Sequence, residues 1–302
     1  MEFRTLDVRT ADGHTLKVGV CANGCTGPSV LILPGLYSHM GWYRPLGEAL
    51  AARGLTAFLL DRRGAGISEG LPGHMDSWRH VVDDILRVAA KIKELHPTAA
   101  VCALGVSLGA AMTLATSLVD RACFQRQALL SPGLAPGLQL PLMRRISLAY
   151  SGFARPRALY ELPFTVDQLS DKEELRQSLW KDPLRTKAVT SRFLIEVFRM
   201  QRFVRRNALR LRVPVLALVA EKDSMVDNQV VLQTLGTVPH TPVRIEIFEG
   251  AHHVLPASVP LEDLVGRIDH WFTAPDDALE PRVVVQRIPQ ADTVVTEGHG
   301  AA

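Results

Sequence analysis

No apolar run in the chain approaches the roughly 18 residues that a membrane-crossing helix requires. The first residues, Met1-Glu2-Phe3-Arg4-Thr5, lack a basic segment followed by an apolar stretch, which argues against a secretory signal peptide. The four cysteines (Cys21, Cys25, Cys102 and Cys123) are too few to staple 302 residues. No second pair completes the zinc pattern that Cys21 and Cys25 would begin, and the bland reading of Cys102 is a small core residue. Aromatic residues are only 6%, which leaves little for a base-stacking surface. Glycine signatures that cradle phosphates are missing from any nucleotide-binding context. What is present is an ordinary globular composition, 47% hydrophobic and 22% charged, sufficient to bury a large core. The expectation is a soluble, cytoplasmic protein that binds neither metal nor nucleic acid.

The net charge of +3 is unevenly spread. Between Ala135 and Arg212 stand sixteen basic and seven acidic residues, an excess of nine, which leaves −6 on the remainder. Such asymmetry marks a separate segment. The hydropathy pattern agrees. Phe3 to Arg9 and Thr15 to Val20 flank the turn Ala11-Asp12-Gly13-His14 and read as a hairpin. Ser29 to Leu33, Leu55 to Leu60, Ala99 to Leu104 and Arg126 to Leu130 are short apolar strands. Between them, Tyr43 to Arg53 and Trp78 to Leu95 carry helical spacing, and Leu108 to Val119 reads as an apolar helix. Strands alternating with helices predict an α/β protein with a mostly parallel, doubly wound sheet.

That alternation breaks after Leu134 and returns at Val213 to Ala220, Val243 to Phe248 and the helix Leu261 to Phe272. We therefore divide the chain into a first core part (1–134), a helical, arginine-rich insertion (135–212), a second core part (213–273) and a polar tail (274–302). Within the tail, Arg282-Val283-Val284-Val285 has the composition of an added edge strand.

The strongest motif is Gly105-Val106-Ser107-Leu108-Gly109, with a strand before it and a helix after it. That context is what a G-x-S-x-G nucleophile needs, because a sharp strand-to-helix turn lifts the serine above the sheet edge and crowds its neighbours. The helix behind it presents free backbone N–H groups to developing negative charge. A serine hydroxyl needs a base, and the base an orienting acid. His252 and His253 follow the strand that ends at Phe248; Asp223 and Asp227 follow the one that ends at Ala220. The chain order Ser…Asp…His is the one this nucleophile turn uses. Asp227 is alternatively a cap for the helix beginning at Asn228.

Four segments, Leu33-Pro34-Gly35-Leu36, Asp61 to Gly70, Gly105 to Gly109, and the acid and histidine loops, resemble the α/β-hydrolase superfamily. Within it they are similar to the monoacylglycerol lipase, lysophospholipase and serine-aminopeptidase-like branch, over about Thr5 to Phe272. The resemblance implies an α/β-hydrolase fold with a helical lid inserted between two core strands. It implies Ser107 as nucleophile and Asp223 as the acid. The family's closing Gly-Ala-x-His-Val-Leu aligns with Gly250 to Leu255 and selects His253 over His252. Where the family usually carries His-Gly this chain has Pro34-Gly35, and the implied oxyanion donors are the backbone N–H groups of Leu36 and Leu108. Tyr37 and His39, on the same loop, are candidates to line the substrate mouth. The Asp61 to Gly70 segment is read as structural, with Asp61 and Arg63 tied to backbone groups.

These assignments imply attack of Ser107 on an acyl carbonyl, an acyl-serine, and hydrolysis by water activated at His253, with no metal or organic cofactor. The insertion holds apolar residues such as Leu138, Leu140, Phe153, Phe164, Leu169, Trp180 and Phe198 beside its arginines. An apolar inner face would suit an acyl chain. The arginines fit either an anionic membrane or phosphate headgroup, or a solvated face pairing with acids. The substrate expected is a monoacylglycerol, a lysophospholipid or another carboxylic ester. Rival functions are an amidase or peptidase, a carbon–carbon bond hydrolase, and a non-catalytic binding protein; the complete Ser, Asp and His set argues against the last. Acyl length and oligomeric state are not legible.

Overall fold

The computed structural model describes residues 2–24, 26–137, 142–161 and 173–289. Cys25, Leu138, Leu140, Phe164, Leu169 and the tail after residue 289 lie outside the described residues. The chain opens with β1 (Glu2–Arg9) and β2 (Thr15–Ala22), an antiparallel hairpin in which Arg9 faces Thr15. Then come β3 (Ser29–Leu33), α1 (Arg44–Ala52), β4 (Thr56–Leu60), α2 (Trp78–Leu95), β5 (Val101–Val106), α3 (Leu108–Val119) and β6 (Gln127–Leu130). The α2 helix forms where its spacing predicts it. The Ser77 hydroxyl accepts from the Arg79 N–H at its start, and Val81, Val82, Ile85, Val88, Ala89 and Ile92 make one buried stripe.

After β6 the chain leaves the sheet for α4 (Leu142–Ala154), β7 (Leu159–Glu161), α5 (Glu173–Lys181), β8 (Ala188–Thr190) and α6 (Ser191–Asn207). It returns through β9 (Val215–Ala220), α7 (Asn228–Gly236), β10 (Val243–Phe248), α8 (Leu255–Ser258), α9 (Leu261–Thr273) and β11 (Val283–Ile288). Among the described residues the main sheet has nine strands in the order β1-β2-β4-β3-β5-β6-β9-β10-β11. From β4 to β11 every pairing is parallel. Side chains of β5 alternate between two cores. Val101 and Ala103 face α2 and α3, while Cys102, Leu104 and Val106 face α1 and α9. Helices thus cover both faces, as a parallel sheet demands.

Within the polar tail, the run with the composition of an edge strand does form one: Val283–Ile288 pairs in parallel with β10, Val283 facing Val243. Consecutive β-branched residues satisfy an edge that β10 would otherwise leave open. Within the stretch read as helical, β7 and β8 form a small antiparallel ribbon, and the Thr190 N–H donates to the Gly73 carbonyl of the core at 2.9 Å. Among the described residues no helix is long and apolar enough to cross a membrane.

Candidate active site

The order β4-β3-β5 reverses direction at β3, so the loops after β3 and β5 open side by side at the carboxyl ends of the strands. Ligands of open α/β sheets bind in such a crevice. Ser107 stands between β5 and α3 at φ 52° and ψ −113°, a conformation L-residues rarely adopt. Backbone bonds hold it there. Its N–H donates to the Leu130 carbonyl (2.9 Å), and its own carbonyl accepts from the Ala110 (3.0 Å) and Gly133 (2.9 Å) N–H groups. The flanking glycines are required by contact. A Cβ on Gly109 would lie 2.0 Å from the Leu33 carbonyl oxygen, and one on Gly105 2.5 Å from the Ala110 Cα.

Three loops that are remote in sequence converge on this serine. His253 Nε2 lies 3.0 Å from Ser107 Oγ, and His253 Nδ1 lies 2.6 Å from Asp223 Oδ2. The Asp223 side chain is fully buried, and its other oxygen accepts from the Met225 (2.9 Å) and Val226 (3.1 Å) N–H groups. That arrangement presents the Nδ1–H tautomer to Asp223 and leaves Nε2 free to accept the hydroxyl proton. The Ser131 hydroxyl donates to the His253 carbonyl at 2.7 Å, fixing the histidine backbone. His252 makes no side-chain contact to the pair; its N–H donates to Ser258 Oγ at 3.1 Å. Asp227 caps α7, accepting from the Gln229 and Val230 N–H groups.

The loop after β3 passes against the serine; a Cβ on Gly35 would sit 3.3 Å from Ser107 Cβ. Leu108, as the first residue of α3, carries an N–H without an intrahelical acceptor. The Leu36 carbonyl is held by Arg62 Nη2 at 2.8 Å. Tyr37 is buried among Met225, Trp42 and Val254. Both ring nitrogens of His39 have protein partners: Nδ1 accepts from the Gly41 N–H (3.2 Å), and Nε2 meets Asp182 Oδ2 at 2.8 Å. Tyr37 therefore packs, and His39 bridges to the insertion with both ring nitrogens taken.

In the Asp61 to Gly70 segment, Asp61 is tied to backbone as expected, accepting from the Met40 (2.6 Å) and Ile67 (2.9 Å) N–H groups. Burial raises its pKa against those two bonds. Arg63 differs from expectation. It pairs with carboxylates, Asp84 at 2.6 and 2.7 Å and Asp12 at 2.8 and 3.1 Å, because a buried guanidinium gains more from a bidentate carboxylate than from carbonyls. The contact to backbone belongs to Arg62 instead. Arg62, Ser131 and Gly133 are the supporting residues that sequence reasoning missed, since each acts across loops with no local pattern. Cys102 is fully buried, and burial pushes its thiol up to about 12, outside useful nucleophile range. Among the described residues no group of three His, Cys, Asp or Glu side chains is arranged to hold a metal ion.

Residues 26–257 match the family described as serine aminopeptidase, S33. The monoglyceride lipase of Rattus norvegicus is 26% identical over 250 residues, 81% of this chain and 82% of that one. A monoglyceride lipase homolog of monkeypox virus is 24% identical over 228 residues, 75% of this chain and 81% of that one. Among solved structures, the monoacylglycerol lipase of Paleococcus ferrophilus superposes with a TM-score of 0.75 at 21% identity, covering 90% of this chain and 98% of its own. A soluble variant of the Saccharomyces cerevisiae monoglyceride lipase, in complex with a substrate analog, reaches a TM-score of 0.80 at 15% identity, covering 93% and 97%.

Proposed function

Because the chain belongs to the serine aminopeptidase S33 family and has the α/β-hydrolase fold, we propose that it is a serine hydrolase of lipid carboxylic esters, with monoacylglycerols or lysophospholipids as substrates. The observation that carries this reading is the continuous hydrogen-bonded line from Asp223 through His253 to Ser107, in which each atom pair has the polarity the chemistry needs. Ser107 Oγ attacks the acyl carbonyl as His253 Nε2 takes its proton. Asp223 holds the ring and stabilises the imidazolium. The oxyanion lies between the N–H groups of Leu36 and Leu108. Loss of one such donor in comparable sites costs roughly 3–4 kcal/mol. Collapse expels the alcohol, protonated by His253, and leaves an acyl-serine. Water, deprotonated by the same ring, then releases the acid.

A lipid substrate is supported by the similarity to monoglyceride lipases and by the insertion's surface. Met143, Tyr150 and Phe153 on α4 are exposed, the last 89%, and so are Arg155 and Arg157, which follow the helix. An apolar surface with a basic rim suits the boundary of an anionic lipid layer, and the insertion acts as a lid over the acyl chain. The test is hydrolysis of p-nitrophenyl esters from acetyl to palmitoyl by the native protein and by Ser107→Ala. Turnover that favours medium or long chains and disappears in the variant is expected. No ester turnover would move the assignment to amide or carbon–carbon bond cleavage, or to binding without catalysis. Full activity in the variant would remove Ser107 as nucleophile.

A further inference from the structure

Arg62 follows β4 at the carboxyl edge of the sheet and is only 7% exposed. Its Nη2 donates to the Leu36 carbonyl at 2.8 Å, and its guanidinium lies 5.4 Å from the centroid of the Phe193 ring on α6. Nε and Nη1 are buried with no hydrogen-bond partner. Among the described residues no carboxylate touches the group. Neighbouring Asp61 spends its two oxygens on the Met40 and Ile67 N–H groups, and Asp84 spends both of its own on Arg63. Burial, partly offset by Asp61, lowers its pKa to about 10, so it stays charged at neutral pH. A buried cation with two idle donors is costly. For structure alone, a neutral side chain would reach the same carbonyl at less expense.

Resting on the serine-hydrolase reading, we propose that Arg62 is a positioning residue of the oxyanion loop whose buried charge favours the anionic tetrahedral intermediate over the neutral ester. Its bond to the Leu36 carbonyl orients the peptide next to the one that carries the Leu36 N–H. Its charge, buried and only partly offset by Asp61, adds positive potential where negative charge develops. The Phe193 contact joins this loop to α6, so the insertion helps to keep the guanidinium in place.

The test compares native protein, Arg62→Gln, which keeps a donor without charge, and Arg62→Met, which keeps neither. Each is checked for folding by thermal melt. Steady-state hydrolysis of p-nitrophenyl butyrate is measured beside inhibition by butylboronic acid, which adds to serine as a tetrahedral anion. The expected result is a kcat lowered about 10- to 100-fold, more in Met than in Gln, with KM changed little. Boronate affinity should fall by a similar factor. If the Met variant does not fold, the Gln variant carries the comparison. A folded variant with native kcat and native boronate affinity overturns the proposal. So does a raised KM with kcat unchanged, or a lowered kcat with boronate affinity intact. Native protein that binds no boronate, or an active Ser107→Ala, overturns the serine-hydrolase reading itself and this proposal with it.

Discussion

Ser107 combines two conflicting demands. Its hydroxyl must face the crevice, and its backbone must take φ 52° to put it there. Non-glycine residues in such regions cost about 1–3 kcal/mol, held only because surrounding bonds over-determine them. Here the Leu130, Ala110 and Gly133 backbone groups do so. We predict that Ser107→Ala and Ser107→Gly are equally inactive, but that Gly is more stable than Ala by about 1 kcal/mol, since only glycine is relieved of that strain. Denaturant unfolding of the two variants measures the difference; equal midpoints would mean the turn carries no strain. The G-x-S-x-G pattern made this turn legible from sequence, although only Gly105 is demanded by contacts within a few residues, while Gly109 is demanded by the Leu33 and Pro34 carbonyls on the neighbouring strand's loop. The partners that hold it were not legible, because Leu130 and Gly133 approach only after β5 and β6 pair.

At the scale of elements, the insertion is tied to the core at several points. Thr186 and Thr190 donate backbone N–H groups to the Tyr37 and Gly73 carbonyls. Gln201 on α6 donates to the Gly133 carbonyl at 2.8 Å, behind the Ser107 turn. Asp182, after α5, accepts from His39 Nε2 (2.8 Å), Trp42 Nε1 (2.7 Å) and the Leu184 N–H (2.8 Å). Burial would raise this carboxyl, but those bonds outweigh it and hold it below its ordinary pKa. A depressed carboxyl contributes stability above its unfolded pKa, near 4, and loses it as pH falls through the folded value. Asp182→Asn is therefore expected to cost about 1–2 kcal/mol at pH 7, with the gap to the native protein narrowing as pH drops below about 4. Urea midpoints across pH 3 to 7 test this: no gap at pH 7 would mean that Asp182 is unimportant, and a gap constant with pH that its charge is. Several arginines of the insertion are likewise engaged. Arg192 and Arg199 reach Glu196, and Arg185 lies 3.9 Å over the Trp180 ring. The basic excess thus serves internal pairing at some positions and faces solvent at others, such as Arg202 and Arg206.

For the molecule as a whole, the sheet is extended by the edge strand whose composition stood out within the polar tail. β11 covers the β10 edge, Val283 and Ile288 are partly buried against the two cores, and Arg287 pairs with Glu221 at 2.6 Å. The ion pair is exposed and worth little; the apolar contacts and the paired edge carry the contribution. A chain ending at Pro281 is expected to be less stable than one ending at Pro289 by roughly 2–3 kcal/mol, from two partly buried aliphatic side chains. It should keep its ester turnover, because β11 lies at the sheet edge away from Ser107. Chemical denaturation of the two truncations decides it, and identical midpoints would make the strand an ornament.

Period and punctuation alone determined most of the core. Trp78 to Leu95 could only be a helix of that length, because its apolar spacing and its ends are local properties. The same holds for the serine at a strand-to-helix turn and for the order of the acid and the base. The choice among neighbours, which the resemblance had made, has its physical reason in the fold. His253 rather than His252, and Asp223 rather than Asp227, reach Ser107 because β9 and β10 lie on the same side of β6 and deliver their loops together. Arg62 on the Leu36 carbonyl and Ser131 on the His253 carbonyl belong wholly to tertiary structure. Such contacts join residues 26 and 122 positions apart, and nothing in a local pattern encodes a distance across the sheet.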